Sequence, residues 1–104
     1  MSHAILMMYD APGTLEFEDW MHGPHYEEVL ATPGVTGVER FELVEGPENA
    51  RRYAAIIHTD DIEATLAWRN GPDGQRSQDE ANKRGVSNRY GFVVKTVFSS
   101  IDKS

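Results

Sequence analysis

Apolar runs alternate with turn sequences along this chain, and their spacing predicts its elements. Ala4 to Tyr9 (AILMMY) is continuously apolar and runs into Asp10-Ala11-Pro12-Gly13, which predicts a strand closed by a turn. Thr14 then stands as a helix N-cap, with Phe17, Trp20 and Met21 at helical spacing. Gly23-Pro24 interrupts that helix. Proline is tolerated as the first residue of a new helical piece, whose apolar face is Tyr26, Val29 and Leu30. Pro33-Gly34 ends it. Val38 to Val44 (VERFELV) predicts a second strand, the stretch from Glu45 to Asn49 a turn, and Tyr53 to Ile57 (YAAII) a third strand. A second helix is expected from about Asp60 to Arg69, capped by Asp60 or Asp61 and broken by the stretch from Asn70 to Gly74. Gln75 to Arg84 is polar and reads as a short exposed helix. Phe92 to Phe98 (FVVKTVF) predicts the last strand, followed by a polar tail.

The resulting order, β-α-β-β-α-β, is the ferredoxin-like arrangement of the α+β class: a four-stranded antiparallel sheet with helices on one face. At 104 residues a single domain over residues 1–104 is expected. The strands carry a further message. A half-exposed antiparallel strand alternates apolar and polar positions, whereas AILMMY, YAAII and FVVKTVF do not. Two helices cover one face of such a sheet, so something else covers the other. A second copy stacked sheet to sheet about a two-fold axis is the economical solution, and a homodimer is expected.

Charge and cysteine content narrow the function classes. The formal net charge is −7, with 17 acidic against 10 basic residues. Arg51-Arg52 and Lys83-Arg84 are short basic pairs among acids, so neither nucleic acid nor an anionic membrane surface is an expected partner. Cysteine is absent, which removes disulfides, thiolate metal sites and thiol nucleophiles. No stretch is long and apolar enough for a signal peptide core or a membrane span, and a cytoplasmic protein is expected.

Among chemically capable residues, His25 leads, because imidazole takes and gives protons near neutrality. It lies at the margin of the Tyr26/Val29/Leu30 face, from which a side chain can reach a cleft. The alternative is a structural histidine. His22 lies three residues away, near Asp19 and Glu28, but the Gly-Pro break and the lack of a third histidine at motif spacing argue against a metal site. His58 ends the third strand on the face of Ala54 and Ile56 and is expected either in the same cleft as His25 or in solvent. Tyr9 offers a phenol to a carbonyl oxygen or serves as a core aromatic. Asp10 orients a histidine, acts as a base, or organises its turn. Arg40 either grips a substrate carboxylate or pairs with Glu39, Glu42 or an acid of the partner copy. Trp20, Phe17, Met21 and Trp68 are expected in core or pocket wall, and Arg76, Lys83 and Arg84 on a solvated face or lid. No phosphate loop, nucleotide fingerprint or nucleophile elbow is present, so no cofactor is expected.

Phe17, Trp20, His25, Leu30, Pro33 and Gly34, followed by Arg40-Phe41 and a strand opening on Tyr53, resemble the dimeric α/β-barrel superfamily, and within it the EthD-like and HapK-like branch. The resemblance spans roughly residues 4 to 98. It departs at Met21, where such proteins often carry a second aromatic, and at His22-Gly23-Pro24, which replaces a more acidic stretch. No acid adjoins His25 in sequence. The superfamily holds cofactor-free isomerases, polyketide cyclases, small monooxygenases and haem-degrading enzymes, and the resemblance implies a ligand cleft between sheet and helices near the helix histidine. The expectation is therefore a cofactor-independent enzyme acting on a small carbonyl, lactone or aromatic metabolite by isomerisation, cyclisation, dehydration or lysis. His25 moves the proton. Tyr9, His58 or Arg40 hold the substrate oxygen, and Trp20 and Met21 exclude water. The alternatives are a non-catalytic ligand-binding accessory protein and a haem-binding or cofactor-free oxygenase.

Overall fold

The computed structural model describes residues 2–101. Strand β1 (His3–Asp10) leads into helix α1 (Leu15–Trp20), a π-helical turn (Met21–His25) and helix α2 (Tyr26–Leu30). Strands β2 (Val35–Glu42) and β3 (Tyr53–Thr59), helices α3 (Ile62–Asn70) and α4 (Pro72–Lys83) and strand β4 (Ser87–Lys95) complete it. The strands form one antiparallel sheet in the order β2-β3-β1-β4. This is the ferredoxin-like topology, and the helices cover one of its faces.

The register settles which residues meet the helices. Ile5, Met7 and Tyr9 on β1 pair with Ile57, Ala55 and Tyr53 on β3. Side chains alternate along a strand, so these six share the helix-covered face, while Ala4, Leu6 and Met8 share the opposite face with His58, Ile56 and Ala54. Tyr9, Phe17, Met21, Tyr53, Ala55, Ala81 and Val86 form the buried core. On the other face, Phe41 is 45 %, Phe92 48 % and Val94 38 % exposed. One sheet face is therefore packed and the other is apolar and bare.

Local chemistry explains most boundaries. Thr14 caps α1 by accepting from Phe17 N–H, and Asp61 caps α3 by accepting from Ala64 N–H. Contrary to the expectation from sequence, Gly23-Pro24 does not interrupt the first helix. It widens it. Pro24 has no N–H to donate, and Tyr26 N–H reaches Met21 O, five residues back.

Three further expectations need correction. Gln75 to Arg84 is solvated on one side only: Arg76, Lys83 and Arg84 are exposed as expected, but α4 starts at Pro72 and buries Gly74, Ser77 and Ala81 on its other side. Its N-terminus lies so close to α3 that a Cβ on Gly74 would overlap the carbonyl oxygens of Trp68 and Arg69. Strand β4 begins at Ser87 rather than Phe92, and Val97 and Phe98 lie beyond its end, 85 % and 84 % exposed. Arg40 pairs with neither Glu39 nor Glu42 but with Glu18 on α1.

Gly34 turns the chain from α2 into β2 at φ +86°. A Cβ there would sit 2.6 Å from Asp61 O, 2.7 Å from Thr65 Oγ1 and 2.9 Å from Thr59 Oγ1. Those hydroxyls form a buried relay. Thr59 and Thr65 are 2.7 Å apart, and Thr65 donates to Pro33 O at 2.7 Å. Gly34→Ala therefore combines backbone strain with a broken relay. It is expected to cost about 2–4 kcal/mol, read as a lower urea midpoint at unchanged slope.

Candidate functional site

Between the helices and the covered sheet face lies a cavity of about 120 Å³. Its floor is Ile5, Met7, Tyr9, Ala55 and Ile57 of the sheet. One wall is Met21, His25, Tyr26 and Val29. Facing it, α4 contributes Gly74, Ser77, Gln78 and Ala81, and Arg89 on β4 closes one side. The lining is mainly apolar, with few polar groups among it, as expected for a small-molecule site.

The π-turn aims the histidine. Phe17, Met21, His25 and Val29 recur every four residues. In a regular α-helix such a series drifts by about 40° at each step. The wider turn over Met21–His25 offsets part of that drift, and Met21, His25 and Val29 line the same cavity. The His25 ring stacks on Trp20, with centroids 4.8 Å apart at 25°. Arg84 also lies 4.6 Å from the same indole. His25 Nδ1 lies 3.5 Å from Ser77 Oγ, a long contact, and Nε2 makes no hydrogen bond with another described residue. Burial, with a smaller push from the Arg89 charge, holds the imidazole below its ordinary titration range, against an opposing pull from Glu28. The ring is neutral at pH 7 and able to accept a proton.

Tyr9 reaches the cavity from the sheet. Its phenol oxygen accepts a hydrogen bond from Arg40 Nε at 2.6 Å, which leaves its own proton free to donate. Arg40 Nη1 donates to both Glu18 carboxylate oxygens at 2.8 Å and contacts His22 Nε2 at 3.1 Å. Guanidinium only donates, so His22 Nε2 accepts and its proton sits on Nδ1. The guanidinium also lies 4.3 Å from the Tyr53 ring centroid. Tyr26 is kept protonated chiefly by burial, with Tyr9 adding to the effect.

The structure thus brings together His25, Tyr9 and Met21 on one cavity, with Trp20 behind the histidine. Arg40 stands outside the lining and reaches it through Tyr9. His58 and Asp10 lie elsewhere. His58 sits on the bare sheet face and bonds Glu39 at 3.0 Å, because the helices cover the face of Tyr53, Ala55 and Ile57 instead. Asp10 accepts from Arg52 N–H at 2.9 Å and from Asn88 Nδ2 at 2.8 Å, tying β1 to its neighbours. These two bonds, the Asn88 one first, lower its carboxyl below the usual range. Tyr26, Ser77, Gln78 and Arg89 also line the cavity and were not expected from sequence. Gly74, Ser77, Gln78 and Ala81 recur at i, i+3, i+4, i+7, a stripe of small and polar residues that marks the inner face of α4.

No protein-family model matches this sequence, and no curated protein matches it. Solved structures do. An EthD family protein from Bacillus halodurans superposes with a TM-score of 0.68 at 16 % identity, over 93 % of this chain and 100 % of that one. SnoaB, a cofactor-independent oxygenase from Streptomyces nogalater, gives 0.72 at 12 % identity, over 97 % and 98 %. A dimeric ferredoxin-like protein of unknown function from a Jannaschia species gives 0.64 at 16 %, over 92 % and 100 %. The chain shares the ferredoxin-like fold of EthD-type and dimeric ferredoxin-like proteins. No helix among the described residues is long and apolar enough to cross a membrane.

Proposed function

We propose that this protein is a cofactor-independent enzyme in which His25 moves a proton on a small carbonyl, lactone or aromatic metabolite. The reaction is of isomerase, cyclase, dehydratase or lyase type. One ferredoxin-like domain carries the site and works as a homodimer, paired through the bare sheet face. The observation that supports this reading best is a neutral imidazole held by stacking on the wall of a mostly apolar cavity. An imidazole on the wall of a void, with its titration shifted by its surroundings, has the placement a general base needs. Tyr9 then serves as the donor to the substrate oxygen, because Arg40 has taken its acceptor side.

A cofactor-free oxygenase is the second reading, favoured by the likeness to SnoaB; it shares the first step, proton removal by His25. Oxygen consumption during turnover separates the two. The cavity of about 120 Å³ is near the roughly 150 Å³ void that accepts one benzene ring and does not enclose a porphyrin, so a small ligand is the better match.

The test is a thermal-shift screen of lactones, β-dicarbonyls and aromatic acids against wild type and His25→Gln. A ligand that raises the melting temperature of wild type supports the site. No stabilisation by any of these classes contradicts it.

The pH profile follows from the depressed His25 value. The base is the neutral ring, so kcat/KM is level above neutrality and falls as pH drops through the folded-state pKa, with a midpoint below the ordinary 6.5. Stability moves in the same direction. The unfolded chain binds this proton more readily, so the His25 contribution is fully present above 6.5 and is lost as pH falls from there through the folded value. An acid limb at or above 6.5 contradicts the assignment.

A further inference from the structure

Arg89 combines partial burial, an unpartnered nitrogen and a place on the cavity lining. Arg40, Arg52, Arg76 and Arg84 each hold a carboxylate, with nitrogen–oxygen distances of 2.8 to 3.1 Å. Among the described residues no carboxylate lies within ion-pair distance of Arg89. Its partners are neutral amides: Asn82 Oδ1 at 3.0 Å and Gln78 Oε1 at 3.5 Å. Its Nε is buried and has no hydrogen-bond partner among the described residues. The other buried nitrogen in that condition, Arg40 Nη2, belongs to a guanidinium already neutralised by Glu18. Arg69, also on the cavity lining, turns its Nε to Asn70 at the surface.

A half-buried guanidinium without a counter-ion is costly, and burial pulls Arg89 below its ordinary range. None of the acidic residues among those described reaches this cation, although the chain is rich in them. The anion is missing at the wall of a cavity that also holds His25, and the fork of donors on a guanidinium matches a carboxylate.

We propose that Arg89 is the anion-binding residue of this cavity and that its ligand is a small carboxylate, docked on Arg89 with its apolar part among Met7, Met21 and Val29. This rests on the reading of the His25 cavity as a ligand site and names the ligand class for it. The volume limits the ligand to a single ring or a short chain. A docked carboxylate supplies the counter-ion that the guanidinium lacks, and its negative charge favours the protonated form of the imidazole on the same cavity.

The test compares matched probes: benzoate against benzamide, and 4-oxopentanoate against 4-oxopentanamide. Affinities are measured by calorimetry on wild type, Arg89→Met, Arg89→Lys and His25→Gln. The expected result is that wild type prefers each acid over its amide by about 10- to 100-fold, the range of a charge-assisted hydrogen bond. Arg89→Met abolishes the preference without losing the amides, and Arg89→Lys keeps part of it. Nuclear magnetic resonance of the imidazole adds a readout that a purely structural arginine would not move. The His25 titration midpoint in wild type rises on adding benzoate but not benzamide. If acids and amides bind wild type equally well, the anion site is wrong while the cavity reading stands. If acids are preferred but Arg89→Met and wild type behave alike, Arg89 is not the anchor. If no probe of either kind binds wild type, this proposal and the ligand-site reading fall together. Should Arg89→Met fail to fold, the acid-to-amide ratio and the benzoate-induced shift in wild type still decide the proposal.

Discussion

His25→Gln is expected to lower turnover by about 10²- to 10⁴-fold, the usual contribution of a positioned general base. Glutamine keeps comparable length and polarity but has no group that accepts a proton near neutrality. The loss should appear in kcat as well as kcat/KM, since proton transfer is a feature of the transition state rather than of binding. The fold should survive. His25 is held by ring stacking on Trp20 and a long contact to Ser77, not by a buried ion pair, so its removal leaves no unpaired charge. A modest loss of melting temperature with a large loss of rate separates catalysis from structure. Equal turnover in wild type and His25→Gln would make the histidine a core residue and shift the weight to an accessory binding protein.

Phe92→Glu is expected to convert the proposed dimer to a monomer. Phe92 stands opposite Leu6 on the bare sheet face and meets Tyr90 edge-on at 5.4 Å. With Phe41, Leu6, Met8, Ile56 and Val94 it makes a continuous apolar surface from β2 to β4. Stacking a second copy there buries each large side chain for about 1.5–3 kcal/mol. A glutamate at the centre loses that gain and adds a carboxylate without a partner. The dissociation constant is expected to rise by about 30- to 1000-fold, visible by light scattering as a halved mass. A wild-type chain that is already monomeric at micromolar concentration removes the dimer from the account.

Much of the architecture was legible in the sequence because the apolar runs of β1 and β3 and the Thr14 and Asp61 caps each carry a strong local signal. The failures have identifiable causes. Strand β4 was misplaced because apolar density marks Phe92 to Phe98, whereas backbone pairing with β1 recruits the polar Ser87-Asn88-Arg89-Tyr90 and ends before Val97. The same error hid Arg89, which lay outside the expected strand. Helix α4 looked solvated because its inner face is built from Gly74, Ser77 and Ala81, which read as polar or neutral although they are buried. His58 and Asp10 were drawn toward the site because alternation assigns residues to two faces without saying which one the helices cover. His25 was legible for a physical reason: Gly23-Pro24 within a helical pattern signals an altered turn, and that turn carries the imidazole to the cavity.

Proton transfer by His25 is tested most directly by incubating lactones and β-dicarbonyls that stabilise the protein in deuterium oxide and reading the isotope by mass spectrometry. The account predicts that wild type exchanges carbon-bound hydrogen next to the carbonyl faster than solvent alone, and that His25→Gln falls back to the solvent rate. Exchange at the same rate in both proteins, or no exchange in a bound ligand that has an acidic carbon–hydrogen bond, would contradict it.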